Sequence, residues 1–183
     1  RSQVADIQQL YIYALSDFTS FDNAQGAYDV MGMYEWISPN TPSNVVKNDI
    51  AIAFKTTSDL LFGKTFDPIQ TAKLEVSDEF HGYAFKDDFD VYTYVFWKAT
   101  TEDLNEHSPG VYISPDSLDL GQLMVRYWDY SETGYELEIP SEFFKVTSTP
   151  IFLTEVEEGE FNSNKISRNK TTTKSKLISY PNP

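Results

Sequence analysis

The fold of this chain is decided by residues 82–98, which read GYAFKDDFDVYTYVFWK. Two short runs rich in aromatic and β-branched residues flank a Lys-Asp-Asp turn, a pattern that predicts a β-hairpin. The second run, residues 91–98, is apolar or aromatic at both sets of alternating positions. We therefore expect both faces of this strand to be covered, one by the interior of a β-sandwich and the other by a neighbouring element.

The same β-rich pattern extends along the chain from residue 72 to residue 156. Turn residues separate short runs with no helical pattern between them, which predicts an antiparallel sandwich. The predicted strands are Ala72–Ser77, Gly82–Lys86, Val91–Lys98, Val111–Ser114, Gln122–Tyr130, Tyr135–Ile139, Phe143–Thr147 and Ile151–Val156.

The hairpin turn carries three aspartates, Asp87, Asp88 and Asp90. Carboxylate oxygens are calcium ligands, so a calcium site is one interpretation of this cluster. A solvated turn is the other, because aspartate is common in turns and the Asp-x-Asp-x-Asp-Gly loop is missing.

The N-terminal third follows a different pattern. Residues 7–15 form a nearly continuous apolar run, which is typical of a strand buried on both faces. Residues 43–62 repeat apolar side chains at helical spacing, with Ser43 or Asn44 as the cap and Gly63 as the terminator. Strand, loop and helix make one βα unit, which cannot form a domain alone because its strand needs parallel neighbours.

Composition excludes several classes of function. The chain has 183 residues, a formal net charge of −14 and no cysteine. Too few cations are present to neutralise phosphates, so we expect no nucleic-acid partner. No apolar run approaches the ~20 residues of a membrane helix, so we expect no membrane insertion. The chain has no cysteine, and His81 and His107 are its only histidines. We therefore predict no metal site built on cysteine or histidine ligands, and no cofactor.

Aromatic residues make up 15% of the chain. Such rings either fill the core of a sandwich or stack on sugars, and composition does not separate the two uses.

Charge is divided unevenly along the chain. All 28 acidic residues but only nine of the 14 basic ones precede residue 162. The stretch that follows is rich in Ser, Thr, Asn and Lys and has too little apolar surface to offset the entropy of ordering. We therefore predict a flexible linker over residues 158–176.

Residues 10–66 resemble the last βα unit of a clan-A-type (β/α)8 glycoside hydrolase. The similar parts are YIYALSDF at 11–18, MGMY at 31–34, IAIAFK at 50–55 and LLFGKTF at 60–66. Residues 82–86, 91–97 and 148–155 are similar to the C-terminal β-sandwich of such enzymes. The resemblance implies an α/β barrel remnant (the last βα unit, residues 1–67) plus an all-β antiparallel sandwich (residues 68–157), followed by the disordered C-terminal linker.

The tail KLISYPNP at residues 176–183 resembles the opening of a type A C-terminal sorting domain, used by Bacteroidota for type IX secretion. This resemblance implies that residues 177–183 begin a sorting domain, most of which is absent. It also implies a secreted or cell-surface protein that crosses the outer membrane. Its partner would be the secretion machinery, engaged through the signal Tyr180, Pro181, Asn182 and Pro183. Both ends of the sequence are therefore expected to be truncated.

Glycosidases need two carboxyl groups that flank the scissile bond. The resemblance implies that these come from the fourth and seventh barrel strands, so we expect no catalytic residue in this chain. Barrel active sites lie at the C-terminal ends of strands, which makes Asp17, Phe18, Tyr34 and Trp36 the candidate substrate-binding residues. The rings would stack on sugars and Asp17 would accept hydroxyl hydrogen bonds. The alternative is that Tyr34 and Trp36 are packing residues and Asp17 caps a turn.

The leading interpretation is the C-terminal portion of a secreted glycoside hydrolase that acts on a polysaccharide or oligosaccharide, inactive as an isolated fragment. The alternative is a non-catalytic carbohydrate-binding or adhesive β-sandwich module of a surface protein, which predicts exposed, roughly coplanar aromatic rings. A third interpretation, compatible with the first, makes the chain principally secretion cargo recognised near residues 177–183.

Overall fold

A computed structural model describes residues 14–40, 43, 45–99, 109–115, 118 and 120–156 of the chain. The predicted linker, the sorting signal, His107 and all but the end of the predicted strand 7–15 lie outside these residues. The elements of the described residues, in chain order, are α1 (Asp49–Leu61), β1 (Thr65–Phe66), α2 (Pro68–Ala72), β2 (Phe80–Lys86), β3 (Tyr92–Lys98), β4 (Gly110–Ile113), β5 (Gln122–Tyr127), α3 (Tyr130–Thr133), β6 (Glu136–Pro140), β7 (Phe143–Val146) and β8 (Ile151–Glu155). Two 3₁₀ turns, Phe21–Asn23 and Ala27–Val30, precede α1.

The strands form an antiparallel sandwich, as the sequence predicts. One sheet has six strands in the order β1-β2-β3-β8-β5-β6, and the other pairs β4 with β7. The predicted hairpin is β2–β3, with Phe80 opposite Lys98 and Lys86 opposite Tyr92. β8 completes the large sheet by inserting between β3 and β5.

A single aromatic and aliphatic core fills the space between the two sheets. Tyr94, Phe96, Leu123 and Leu153 of the large sheet are fully buried, and they share this core with Val146 of the small sheet. The ring of Phe96 lies 4.7 Å from that of Tyr112 and 5.3 Å from that of Phe144. The buried aromatic residues of this core are Phe80, Tyr94, Phe96, Tyr112 and Phe144.

The outer face of the central strands is also covered, which confirms the expectation for residues 91–98. Val95 of β3 and Phe152 of β8 are buried there. Leu60 and Leu61, at the end of α1, pack against them. Helix α1 is thus the neighbouring element that the two-faced apolar pattern requires.

The predicted helix forms, but it begins later than the sequence suggests. α1 starts at Asp49 with Asn48 as its N-cap residue, whereas Ser43 or Asn44 was the expected cap. The reason is that residues 46–48 pair with residues 33–35: Glu35 N–H donates to Val46 O, and Asn48 N–H donates to Met33 O. Gly63 adopts a φ of +74°, as expected of a left-handed terminator.

The predicted strand Ala72–Ser77 is wrong. Pro68–Ala72 is helix α2, because the Asp67 carboxylate accepts hydrogen bonds from the backbone N–H groups of Ile69 and Gln70. Leu74 behind it is fully buried without strand pairing, and its carbonyl accepts a hydrogen bond from the Tyr112 hydroxyl. The alternation of apolar residues here reflects the packing of Leu74 and Val76 into the core rather than a strand.

The expectation that no helix interrupts the strands is also wrong. β5 ends at Tyr127, short of the predicted Tyr130, and α3 occupies Tyr130–Thr133. Gly134 closes this helical turn as its C-cap, with a φ of +59°. No helix of the described residues is both long and apolar enough to cross a membrane.

Candidate functional site

The candidate site is built mainly by residues 14–40 and 45–48, which precede α1 and which we call the cleft segment. Three short pieces of its backbone, residues 14–17, 33–35 and 46–48, pair with one another. Residues 14–17 run parallel to residues 33–35, where Asp17 N–H donates to Tyr34 O at 2.9 Å and Tyr34 N–H donates to Leu15 O at 3.0 Å. Residues 46–48 pair antiparallel on the other side of Tyr34. The cleft segment therefore has the backbone pairing of a sheet without containing a full strand.

Asp17 joins these pieces through its side chain. Asp17 is 9% exposed, and its carboxylate accepts a hydrogen bond from Gly32 N–H at 2.7 Å. The Asn48 side-chain amide donates to the same carboxylate at 3.3 Å and to Gly32 O at 2.9 Å. Asp17 therefore fixes the loop between residues 17 and 32 and links that loop to the start of α1.

Gly32 is required by a close approach of two backbones. A Cβ atom at this position would lie 2.2 Å from the backbone nitrogen of Asp17 and 2.2 Å from the carbonyl carbon of Ser16. Only glycine allows the chain to return this close to residues 16–17. The two halves of the cleft segment are held together at this point.

An open cleft of about 850 Å³ lies beside this contact. Its volume is within the range of small-molecule sites. Trp36, 41% exposed, and Phe21, 82% exposed, supply rings to its wall. The lining residues are Asp17, Ser20, Phe21, Val30, Met31, Gly32, Glu35, Trp36, Lys47, Asn48, Asp49 and Ile50.

The structure brings together two of the four predicted substrate-binding residues. Asp17 and Trp36 line the cleft, whereas Tyr34 lines a smaller hollow of about 280 Å³ with Phe54 and Lys47. Phe18 is 60% exposed and is not part of the cleft wall. The Asp17 carboxylate accepts hydrogen bonds from Gly32 and Asn48, which is the arrangement that the turn-capping alternative describes. The Trp36 side chain is partly exposed and accessible to a ligand.

Three charged residues of the cleft escaped prediction as binding residues: Glu35, Lys47 and Asp49. Glu35 stands beside Trp36 in the sequence, which was the available indication. Lys47 and Asp49 fell inside the span predicted to be helix, so their approach to the loop could not be inferred. Only the late start of α1 turns them toward the cleft.

The cleft is connected to the sandwich through α1 and α3. Thr56 of α1 is fully buried, and its hydroxyl oxygen accepts a hydrogen bond from Ser131 N–H at 2.9 Å. The Ser131 hydroxyl donates to Ile52 O. Glu132, the residue after Ser131 in α3, forms an ion pair with Lys47 of the cleft. The sandwich therefore contributes directly to the position of a cleft residue.

Two of the three aspartates at the β2–β3 turn, Asp87 and Asp90, have partners in the turn or next to it. Asp87 accepts hydrogen bonds from the N–H groups of Phe89 and Val91 and from the Lys64 ammonium, and Asp90 pairs with Lys86. Hydrogen bonding to Lys64 holds the pKa of the Asp87 carboxyl below its usual range. In the part of the chain that the structure describes, no three His, Asp or Glu side chains converge on a possible metal position.

The chain matches no protein-family model and no curated protein. Among solved structures it is similar to a family 39 glycoside hydrolase from the gut symbiont Bacteroides cellulosilyticus WH2, with a TM-score of 0.53 and 16% sequence identity. The similarity covers 78% of this chain and 25% of that chain. The chain therefore spans about a quarter of the length of the hydrolase. At this identity the likeness concerns the fold, which is a β-rich fold of the kind found in part of a glycoside hydrolase.

Proposed function

We propose that this chain is the C-terminal portion of a secreted glycoside hydrolase that acts on a polysaccharide, and that the cleft beside Trp36 forms part of its sugar groove. The observation that carries the proposal is the fold likeness to a quarter of a glycoside hydrolase. An open cleft with an exposed indole, beside a loop fixed by a buried carboxylate, supports it.

Each part of the cleft has a chemical role in this proposal. The Trp36 ring offers an apolar face to the C–H side of a sugar ring, with Phe21 beside it. Glu35 and Asp49 accept hydrogen bonds from sugar hydroxyls. Asp17 acts as a positioning residue, because its carboxylate holds Gly32 and thereby the wall of the cleft. The two catalytic carboxyl groups belong to a barrel outside this chain, so the isolated chain is expected to bind without hydrolysis.

Affinity electrophoresis of the 183-residue chain in gels that contain soluble polysaccharides tests the proposal. Trp36→Ala is expected to weaken retention about tenfold, a loss of ~1.4 kcal/mol of binding free energy. Phe89→Ala is the matched control, because Phe89 is 88% exposed and lies in the β2–β3 turn. Equal retention of both variants and the wild type would remove the cleft from the proposal.

A non-catalytic binding module is the second candidate, and one observation favours it. Tyr127 and Tyr135 are exposed neighbours at the β5–β6 end of the sandwich, with ring centroids 6.2 Å apart and planes 24° apart. A sandwich that binds sugars by itself requires exposed aromatic rings, and these two rings are exposed and nearly parallel. If Tyr135→Ala abolishes retention while Trp36→Ala does not, the module is the better account.

Export by the type IX secretion system is the part of the proposal that rests on the tail. It is supported by the resemblance of residues 176–183 to the start of a sorting domain. The test is the extracellular yield of the intact protein in a Bacteroidota host that carries the system. Removing everything from residue 177 onward is expected to retain the protein inside the outer membrane, and unchanged yield would exclude this route.

A further inference from the structure

The cleft lining is unbalanced in charge. Three carboxylates, of Asp17, Glu35 and Asp49, face one ammonium group, that of Lys47. The remaining lining residues are uncharged or apolar. A ligand that enters this cleft therefore meets more negative than positive charge.

The single cation is engaged elsewhere. Lys47 pairs with Glu132 of α3, and Glu132 is not part of the cleft wall. Within the described residues, neither Glu35 nor Asp49 forms an ion pair. Asp17 receives hydrogen bonds from neutral donors, which stabilise its charge without cancelling it.

Two further contributions to the field point in opposite directions. The N-terminus of α1 lies at the cleft and carries about half a positive charge from the helix dipole, which does not balance the carboxylates. Residues 1–161 hold 28 acidic and nine basic residues, a formal charge of −19. Such an excess repels polyanions over about a Debye length, which is ~10 Å at 0.1 M salt.

We infer that the cleft selects uncharged glycans and rejects anionic ones such as uronates and sulfated sugars. This inference rests on the proposed function and names the substrate class of the same cleft. Uncharged sugar hydroxyls donate hydrogen bonds to Glu35 and Asp49 at no electrostatic penalty. A sugar carboxylate or sulfate faces those same groups, and Lys47 is already paired.

Matched pairs of polymers test the inference, because the two members of each pair share one backbone and differ in the charge of their substituents. Suitable pairs are hydroxyethyl cellulose with carboxymethyl cellulose, and fully methyl-esterified with de-esterified polygalacturonate. The expected result is at least about tenfold tighter retention of the uncharged member at ~0.01 M salt. The gap should close near 1 M salt, where the Debye length falls to about 3 Å.

Three variants locate the selectivity in the cleft. Glu35→Gln with Asp49→Asn should narrow the gap between the two members of a pair, and Glu132→Gln should narrow it by releasing Lys47. Glu138→Gln is the matched control for Glu132→Gln, since each removes one negative charge and Glu138 lies on β6, away from the cleft lining. If this control narrows the gap as much as the cleft variants do, the cleft is not the source of selectivity and the inference is overturned.

The remaining outcomes separate the inference from the function on which it rests. Equal or tighter retention of the charged member of a pair overturns the inference and leaves the proposed function standing. No retention of either member of any pair overturns the proposed function itself. The Glu132→Gln variant keeps the test decisive if the double variant fails to fold.

Discussion

In the sandwich, Phe96 is fully buried against the rings of Tyr112 and Phe144, whereas in the cleft segment Phe21 is 82% exposed. The sandwich is held by apolar burial between two sheets. The cleft segment is held by a few backbone hydrogen bonds, one carboxylate and one glycine contact. This difference shows how the molecule combines a stable body with an open surface whose shape does not depend on a core.

The largest expected effect on stability is at Phe96, in the core of the sandwich. Phe96→Ala should lower the free energy of unfolding by ~3–5 kcal/mol, because it leaves a cavity between the sheets. Urea unfolding followed by circular dichroism measures the loss. Phe89→Ala, which changes an 88% exposed ring, should stay within ~0.5 kcal/mol of the wild type. A small loss at Phe96 would mean that the aromatic core is not what holds the two sheets together.

Gly32 provides the corresponding test of the cleft segment. Gly32→Ala should force the backbones of residues 16–17 and 32 apart, at a local cost of ~1–3 kcal/mol. The effect should appear as faster amide hydrogen exchange in residues 14–36, with the strands of the sandwich unchanged. Gly26→Ala is the control, since a Cβ there meets nothing within 4 Å. If exchange also rises throughout β2, β3 and β8, the two regions are not independent.

A substitution at Thr56 tests whether α1 is held to the sandwich by its hydrogen bond to Ser131. Thr56→Val leaves Ser131 N–H without its acceptor and should cost ~1–3 kcal/mol. Thr57→Val on the exposed side of the same helix should cost much less, because that hydroxyl bonds only to Ala53 O within the helix. Thermal unfolding and hydrogen exchange of α1 provide the measurement. Equal effects of the two variants would mean that α1 is not docked through Thr56.

The smallest expected effect concerns acid, and it acts on the sandwich rather than on the cleft. The pKa of the Asp87 carboxyl is lowered by its hydrogen bond to Lys64, and that of Asp67 by the backbone N–H of Gln70. A carboxyl whose pKa is lower in the folded state contributes stability above its unfolded value of about 3.9, and loses that contribution as the pH falls through the folded value.

The melting temperature should therefore decrease below about pH 4. The decrease should be shallower in Asp87→Asn than in Asp88→Asn, since no hydrogen bond to the Asp88 carboxylate forms within the described residues. Identical acid profiles for these two variants would contradict the assignment to Asp87.

The sequence predicted the sandwich well and the cleft poorly, for a physical reason. Strands such as Tyr92–Lys98 can be predicted from the sequence, because alternation and aromatic content are local properties of the chain. The misassigned residues 72–77 alternate as well, but Leu74 and Val76 pack into the core without strand pairing. The local signal for α2 is the Asp-Pro pair at residues 67–68, which is typical of a helix start.

The cleft depends on contacts that are distant in the chain. Asp17 meets Gly32 across 15 positions and Asn48 across 31, and no periodicity records such meetings. Of the residues predicted at the mouth, Asp17 and Trp36 line the cleft and Tyr34 lines the smaller hollow, and their roles in binding stay predictions. The apolar residues at helical spacing in α1 include Ile50 and Phe54, but these residues are 58% and 45% exposed. The spacing therefore predicts the helix without identifying which of its residues are buried.

The position of β8 has a consequence for the order in which this protein is made. β8 is the last described strand in the chain, yet it lies between β3 and β5 at the centre of the large sheet. A ribosome that has released the chain only as far as residue 150 has produced β3 and β5 with no shared neighbour and two unpaired edges. The large sheet cannot be completed during synthesis until residues 151–155 emerge. A nascent chain that stalls before them is a ready substrate for chaperones or for aggregation.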